Sequence, residues 1–322
     1  MSPGNMSPEN ESPEKESPEN ESRVKVPPAQ GPLVQGPLVL GNRDFGETSL
    51  VVMAIVNRTP DSFYDRGATF DEPAALDRVA QVVAEGADIV DIGGVKAGYG
   101  DEVDEREELR RTASFVERVR ADFPELVISV DTWRASVARE LCRCGADLIN
   151  DTWAGADPRL AEVAAEFDVG LVCSHAGGLG PRTDPHRVAY PDVMADVIST
   201  VSALADRAVA LGVQPQRILV DPTHDFGKNT YHSLELTRRL DELVALGWPV
   251  LVALSNKDFI GETLDLDSSA RVVGTLAATA VSAWHGARVF RAHQVAETRQ
   301  VLDMVASIAG RRPPTRATRG LA

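Results

Sequence analysis

Residues 126–151 read LVISVDTWRASVARELCRCGADLIND, and this stretch decides the fold. Leu126 to Asp131 is a short apolar run that ends on a carboxylate. Ala135 to Cys144 carries apolar residues at helical spacing, and Asp147 to Asn150 opens a second short run that again ends on a polar residue. Strand, helix and strand in such quick succession predict parallel pairing through a right-handed crossover.

The same unit repeats in both directions. Strand-like runs lie at Leu50 to Val56, Asp88 to Ile92, Val169 to Cys173, Arg217 to Asp221, Pro249 to Leu254 and Ala287 to Arg291. Amphipathic stretches fall between them: Pro73 to Glu85, Glu105 to Asp122, Arg159 to Glu166, Asp192 to Leu211, Ser233 to Leu246 and Ser268 to Trp284. Eight such units over residues 47–310 predict a closed (β/α)8 TIM barrel, with a doubly wound sheet as the alternative.

The rest of the chain reads differently. Residues 1–22 repeat Ser-Pro every five residues and hold six glutamates against one lysine, so they carry −5 of the net charge of −15. With no aromatic residue and no apolar face they predict a disordered acidic tail. Residues 23–46, with Pro27, Pro28 and twin GPLV phrases at Gly31 and Gly36, predict an extended linker, and residues 311–322 a flexible C-terminal tail. A chain of 322 residues with 43% apolar content fills a core, while a pI near 4.9 argues against a nucleic-acid partner. No apolar run is long enough for a membrane span, and the start of the chain does not resemble a signal peptide. Three cysteines (Cys142, Cys144 and Cys173) fit a reducing cytoplasm.

Function is written where the strands end. In a parallel barrel the reactive groups gather at the C-terminal ends of the strands. Here those ends carry Asn57, Asp91, Asp131, Asn150 with Asp151, His175, Asp221, Ser255 with Lys257, and Arg291 with His293. Helix capping explains one or two such residues but not a full circle of them. Asp131, Asn150 and Asp221 suit a flat heterocycle that presents donors and acceptors, because a carboxylate accepts two parallel bonds from an amino-pyrimidine edge. Lys257, Arg291 and His293, facing Asn57, suit an anionic group such as a phosphate.

The phrases Asn57-Arg58-Thr59-Pro60-Asp61-Ser62-Phe63, Asp91-Ile92-Gly93-Gly94, Asp131-Thr132, Ile149-Asn150-Asp151, Asp221-Pro222 with Phe226-Gly227-Lys228, Ser255-x-Lys257 with Phe259-Ile260-Gly261, and Arg291-x-His293 stand in order along the chain. Over residues 50–308 the sequence resembles the dihydropteroate synthase family. The resemblance implies condensation of a pterin pyrophosphate with p-aminobenzoate. It implies a pterin held by Asp131, Asn150, Asp221 and Lys257, and a pyrophosphate held by Asn57, Arg291 and His293 with Mg2+ near Asn57. It further implies an arylamine against Phe226 and Lys257 with its carboxylate near Ser255, and Lys257, Asp131 and Arg291 as the catalytic set. Sulfonamides and sulfones are implied as ligands, and a homodimer as the assembly, built from late helices such as Val272 to Trp284.

The departures from the family are as informative as the matches. After Gly94 the family has Glu-Ser-Thr-Arg-Pro-Gly, where this chain has Val95-Lys96-Ala97-Gly98-Tyr99-Gly100. Asn256 stands for the arginine of Ser-Arg-Lys, Gln294 for the aspartate after Arg-x-His, and Ser174 for the methionine of Met-His. Thr223 and Asp225 replace glycines and predict added bulk and charge beside the ligand. Losing one preorganised donor costs about 3–4 kcal/mol of transition-state stabilisation. The sequence therefore predicts a pterin site that is kept and a condensation that is weak or lost. The alternatives are a corrinoid-type pterin or folate methyl carrier and a non-catalytic binding or regulatory barrel. The six histidines have no metal-ligand spacing, and Cys142-x-Cys144 reads as structural.

Overall fold

The computed structural model describes Met1 and residues 35–59, 71–96, 98, 100–183 and 188–319. The acidic tail, most of the linker, the greater part of the first loop and His186 lie outside the described residues.

A short hairpin comes first, β1 (Leu38–Leu40) and β2 (Arg43–Phe45), paired antiparallel. The barrel follows as β3 (Val51–Asn57), α1 (Glu72–Ala84), β4 (Ile89–Gly93), α2 (Glu105–Asp122), β5 (Val127–Asp131), α3 (Ala135–Arg143) and β6 (Leu148–Asp151). It continues through α4 (Leu160–Phe167), β7 (Gly170–Ser174), α5 (Val193–Ala210), β8 (Ile218–Asp221), α6 (Thr230–Arg238) and α7 (Leu240–Val244). It ends with β9 (Leu251–Val252), α8 (Asp258–Leu264), α9 (Val272–Trp284), β10 (Val289–Ala292) and α10 (Val295–Ile308). Seven parallel pairings run β8-β7-β6-β5-β4-β3-β10-β9, and a parallel bridge between Val220 and Val250 joins β8 to β9 and closes the ring.

The eight strands match the predicted runs within a few residues. The predicted helix over Ser233 to Leu246 is broken at Arg239 into α6 and α7, and the one starting at Ser268 opens with a 3₁₀ turn before α9. Helices α8 and α10 are elements the periodicity did not predict.

Alternation along each strand positions the site. Even-numbered Val52, Ala54 and Val56 of β3 face the helices, while Val51 and Met53 face the barrel interior. The interior layer continues round the ring with Ile89, Val127, Leu148, Val172, Leu219, Leu251 and Val289. Two residues further along β4, β6, β8 and β10 stand Asp91, Asn150, Asp221 and Arg291. Four further along β3, β5 and β10 stand Asn57, Asp131 and His293. The same period of two that packs the floor aims the polar residues into the mouth.

The hairpin corrects the linker expected through residue 46. Leu38 and Leu40 are fully buried and join Phe45 in the interior layer, so they plug the barrel at the N-terminal ends of the strands. Arg288 fastens the hairpin by donating to the carbonyls of Gly36, Phe45 and Gly46. Gly41 turns between the two strands at φ +55°, where a Cβ would stand 2.6 Å from an Asp147 carboxylate oxygen, so both conformation and space call for glycine.

Candidate functional site

The mouth is organised around Asp91, which is fully buried at the centre of β4. Its Oδ1 accepts from Ser129 Oγ at 2.6 Å, and its Oδ2 accepts from Asn150 Nδ2 at 3.2 Å and Arg291 Nε at 2.6 Å. The other edge of the Arg291 guanidinium donates to Asp131 Oδ2 at 3.0 Å, while Asp131 Oδ1 accepts from Thr152 Oγ1. Four strands (β4, β5, β6 and β10) and the loop after β6 thus share one hydrogen-bonded floor. Burial pushes the Asp131 carboxyl up and Arg291 pulls it back; burial also opposes the charge of Arg291, but Asp91 and Asp131 outweigh it and hold that pKa above its ordinary value. Gly93 sits between Asp131 and Asn57, where a Cβ would make ordinary contacts at 3.6 Å with Asp131 Cβ and 3.7 Å with Asn57 Oδ1.

Asp221 lies on the opposite side of the ring. Its Oδ1 accepts from the Thr223 amide at 2.7 Å, its Oδ2 has no protein partner among the described residues, and burial raises its carboxyl to about 6. Lys257 Nζ donates to the His224 carbonyl at 2.7 Å and lies 4.4 Å from the centre of the Phe226 ring, whose edge also meets Trp153. Burial lowers the Lys257 amine, with Asp225 and Asp221 opposing. Lys228 anchors this loop from beneath by donating to the carbonyls of His175, Thr223 and Phe226.

The wall between Ser255 and Gln294 turns its side chains on one another, although the buried Asn256 Oδ1 finds no partner among the described residues. Ser255 Oγ donates to Gln294 Oε1 at 3.2 Å and accepts from the His293 amide at 3.2 Å. Asn256 is 1% exposed at φ +55°, and its amide nitrogen also turns to Gln294. Arg271 donates to the Asn256 carbonyl and to Asp258.

Asn57, Asp131, Asn150, Asp221, Phe226, Ser255, Lys257, Arg291 and His293 all lie on loops or strand ends at one face of the barrel. Two expectations are corrected. Thr223 and Asp225 adopt positive φ, as the glycines they replace would, but Thr223 is buried and Asp225 faces away from the mouth. The Asp225 carboxylate accepts from the amides of Asp258 and Phe259 at the start of α8 and from Ser233 Oγ. The mouth is also less cationic than expected: burial, then the neighbouring Arg291, press His293 down to about 3, so its imidazole is neutral near pH 7. On the same loop as Thr223 and Asp225, the His224 ring is fully buried and stacks on Phe259. His175 is resolved as wall, 1% exposed and hydrogen-bonded to Asp196.

Two residues escaped sequence reasoning. Asp91 was one strand-end carboxylate among several, although its place before Gly93-Gly94 marked it. Arg78 of α1, which donates to the His293 carbonyl at 2.7 Å, had no motif to announce it.

Comparison with known proteins agrees with this geometry. The pterin binding enzyme family matches residues 53–293. A Mycobacterium leprae protein described as inactive dihydropteroate synthase 2 is 61% identical over 276 residues, 84% of this chain and 95% of that one. The dihydropteroate synthase of Haemophilus influenzae is 37% identical over 254 residues, 79% of this chain and 92% of its own length. A crystal structure of Yersinia pestis dihydropteroate synthase in complex with a sulfonamide drug superposes with a TM-score of 0.81 at 33% identity, covering 86% of this chain and all of that one. The barrel, its strand-end residues and these similarities together make the chain a member of the dihydropteroate synthase family of pterin binding enzymes.

Proposed function

We propose that this chain binds a pterin in the barrel mouth and has weak or no capacity to condense 6-hydroxymethyl-7,8-dihydropterin pyrophosphate with p-aminobenzoate. The observation that carries the reading is the contrast between an open pterin side and a closed arylamine side. Asp221 Oδ2 has no protein partner among the described residues, whereas Ser255 both donates to Gln294 and accepts from His293.

In this reading Asp221, Asp131, Asn150 and Lys257 bind the pterin edge. The carboxylates offset the positive charge that develops on the pterin as the pyrophosphate departs, and Asn57, Arg291 and His293 receive that group. Lys257, Asp131 and Arg291 form the catalytic set. Mg2+ fits as part of the substrate: Asn57 offers one amide oxygen, and no cluster of three His, Cys, Asp or Glu among the described residues could cage an ion. A cation that keeps its waters and shares phosphate oxygens needs no more from the protein, and when bound it offsets the leaving-group charge.

The arylamine would lie against Phe226 and Lys257 with its carboxylate at Ser255. Trp153 packs against that ring, and Asn256, neutral and turned into the wall, supplies no cation for the carboxylate. The relatives described as inactive dihydropteroate synthase 2 support the same reading, and the sulfonamide-bound neighbour supports sulfonamides as ligands. Helices α9 and α10 carry exposed apolar side chains, including Val273, Trp284, Met304 and Ile308, which supports a homodimer. No helix among the described residues is long and apolar enough to cross a membrane, which fits a cytoplasmic protein.

Calorimetry on the full chain tests the proposal. Pterin binding with no p-aminobenzoate-dependent product supports it, and absence of pterin binding overturns it. Restoring the family's Thr-Arg-Pro loop together with Asn256→Arg is expected to raise condensation at least about tenfold, given the worth of one such donor. Methyl transfer from a methylated folate to a corrinoid would favour the methyl-carrier alternative instead.

A further inference from the structure

The loop that has lost the family's arginine receives one from elsewhere in the barrel. Arg182, on the loop between β7 and α5, reaches the loop between β4 and α2. There its Nε donates to the Gly98 carbonyl at 3.1 Å and its Nη1 to the Asp101 carbonyl at 2.6 Å. Strands β4 and β7 are separated in the ring by β5 and β6, so this link spans the strand ends that carry Asp131 and Asn150. Lys96 comes to the same spot, its Cε 3.9 Å from where a Cβ on Gly98 would stand.

These cations are held differently from the arginines that pair with acids. Arg291 is held by two carboxylates, and Arg120, Arg134 and Arg239 also pair with acids. Arg182 is held by two neutral carbonyls, which orient the guanidinium without cancelling its charge. Neither Lys96 nor Arg182 has a carboxylate partner among the described residues, and the Arg182 Nη2 is left without an acceptor. In a chain of net charge −15, where acids abound, two such cations beside one glycine form a rim ready for an anion.

We propose that Lys96 and Arg182 form an anion clasp at the rim, which grips a phosphate or carboxylate extending from the ring of a ligand seated on Asp131, Asn150 and Asp221. The clasp rests on the pterin reading for what lies beneath it, and ties the second and fifth barrel loops together over that ligand. It makes Arg182 a specificity-determining residue of this mouth, supplied from a different loop than the arginine it replaces.

The test is calorimetry with the full chain and the Lys96→Ala/Arg182→Ala double variant, both first shown to melt at the same temperature. The ligands are 6-hydroxymethylpterin, its dihydro pyrophosphate, pteroate, inorganic pyrophosphate and p-aminobenzoate. The double variant is expected to weaken the charged pterins by roughly tenfold or more, as loss of hydrogen bonds to a charged group predicts, while leaving the uncharged pterin unchanged. A larger loss for the pyrophosphate assigns a phosphate to the clasp, and a larger loss for pteroate a carboxylate. Arg182→Lys should retain part of the effect. Equal loss for charged and uncharged pterins, or no loss, overturns the clasp. If the wild type takes no pterin at all, the pterin reading fails by itself and the two pterin-free anions decide. Anion binding that the double variant abolishes still supports the clasp, and no anion binding by the wild type overturns it.

Discussion

The floor of the mouth and the wall from Ser255 to Gln294 are laid out by the same strand parity, yet they use their polar groups in opposite ways. On the floor, Asp91 gathers Ser129, Asn150 and Arg291 and so fixes the geometry of its neighbours, while the far carboxylate oxygen of Asp221 is left available. On the wall, Ser255 and Asn256 both turn to Gln294, and only the buried Asn256 Oδ1 is left without a partner there among the described residues. A site prepared for a ligand spends its internal hydrogen bonds on orientation. One that has lost a ligand turns them inward, because buried polar groups must find partners somewhere.

The sharpest way to break this contrast is to remove the hub. Asp91→Ala leaves Arg291 with a single carboxylate in a buried setting and is expected to cost about 3–5 kcal/mol of stability, read from chemical denaturation. A cost under about 1 kcal/mol would mean that the floor is not the organised region described here. Next comes Asp221→Ala, which should weaken pterin binding by about 2–3 kcal/mol with little effect on stability, as removal of a charged acceptor from a ligand does. An unchanged affinity would move the pterin off Asp221.

The burial of His175 in the wall is open to a pH test. Burial, reinforced by Lys228, presses the His175 imidazole down to about 4, whereas an unfolded chain binds that proton near 6.5. Below pH 6.5 the unfolded state takes up the proton first, so the neutral histidine's contribution is present at pH 7.5 and lost as the pH falls. The stability gap between wild type and His175→Gln should therefore narrow by roughly 2 kcal/mol by pH 5. A gap independent of pH would show a hydrated imidazole. Asp221 and Asp151, both raised to about 6 by burial, act in the opposite sense between pH 4 and 6 in both proteins and cancel from the difference. The smallest effect belongs to the wall. Gln294→Ala frees the Ser255 hydroxyl and should improve p-aminobenzoate or sulfonamide affinity a few-fold, about 0.5–1 kcal/mol, measured by calorimetry. A loss of affinity would show that Gln294 helps to hold the arylamine.

Much of this was legible in the sequence because one rule governs both packing and chemistry. Once the strands are located, alternation places Asn57, Asp131, Asn150, Asp221 and Arg291 inward without further information. What escaped was set by contacts distant in sequence. The partnership of Asp91 with Arg291 joins residues 200 positions apart, and the fastening of Gly36 and Phe45 by Arg288 spans over 240. The hairpin strands are three residues long and flanked by glycine and proline, too short for a periodic signal. Arg182 binds backbone carbonyls, which any sequence supplies, so no pattern marks its target. Thr223 and Asp225 show the reverse error: the substitutions were visible, but side-chain direction depended on a left-handed backbone and on the unpredicted helix α8.

The central claim is that the pterin side is kept while the condensing side is lost, and the steady-state rate of pteroate formation by the full chain tests it most directly. With saturating pterin pyrophosphate, p-aminobenzoate and Mg2+, the rate is expected to fall about a hundredfold or more below that of the Haemophilus influenzae relative under the same conditions, as loss of a preorganised donor predicts. A rate comparable with that enzyme would contradict the account.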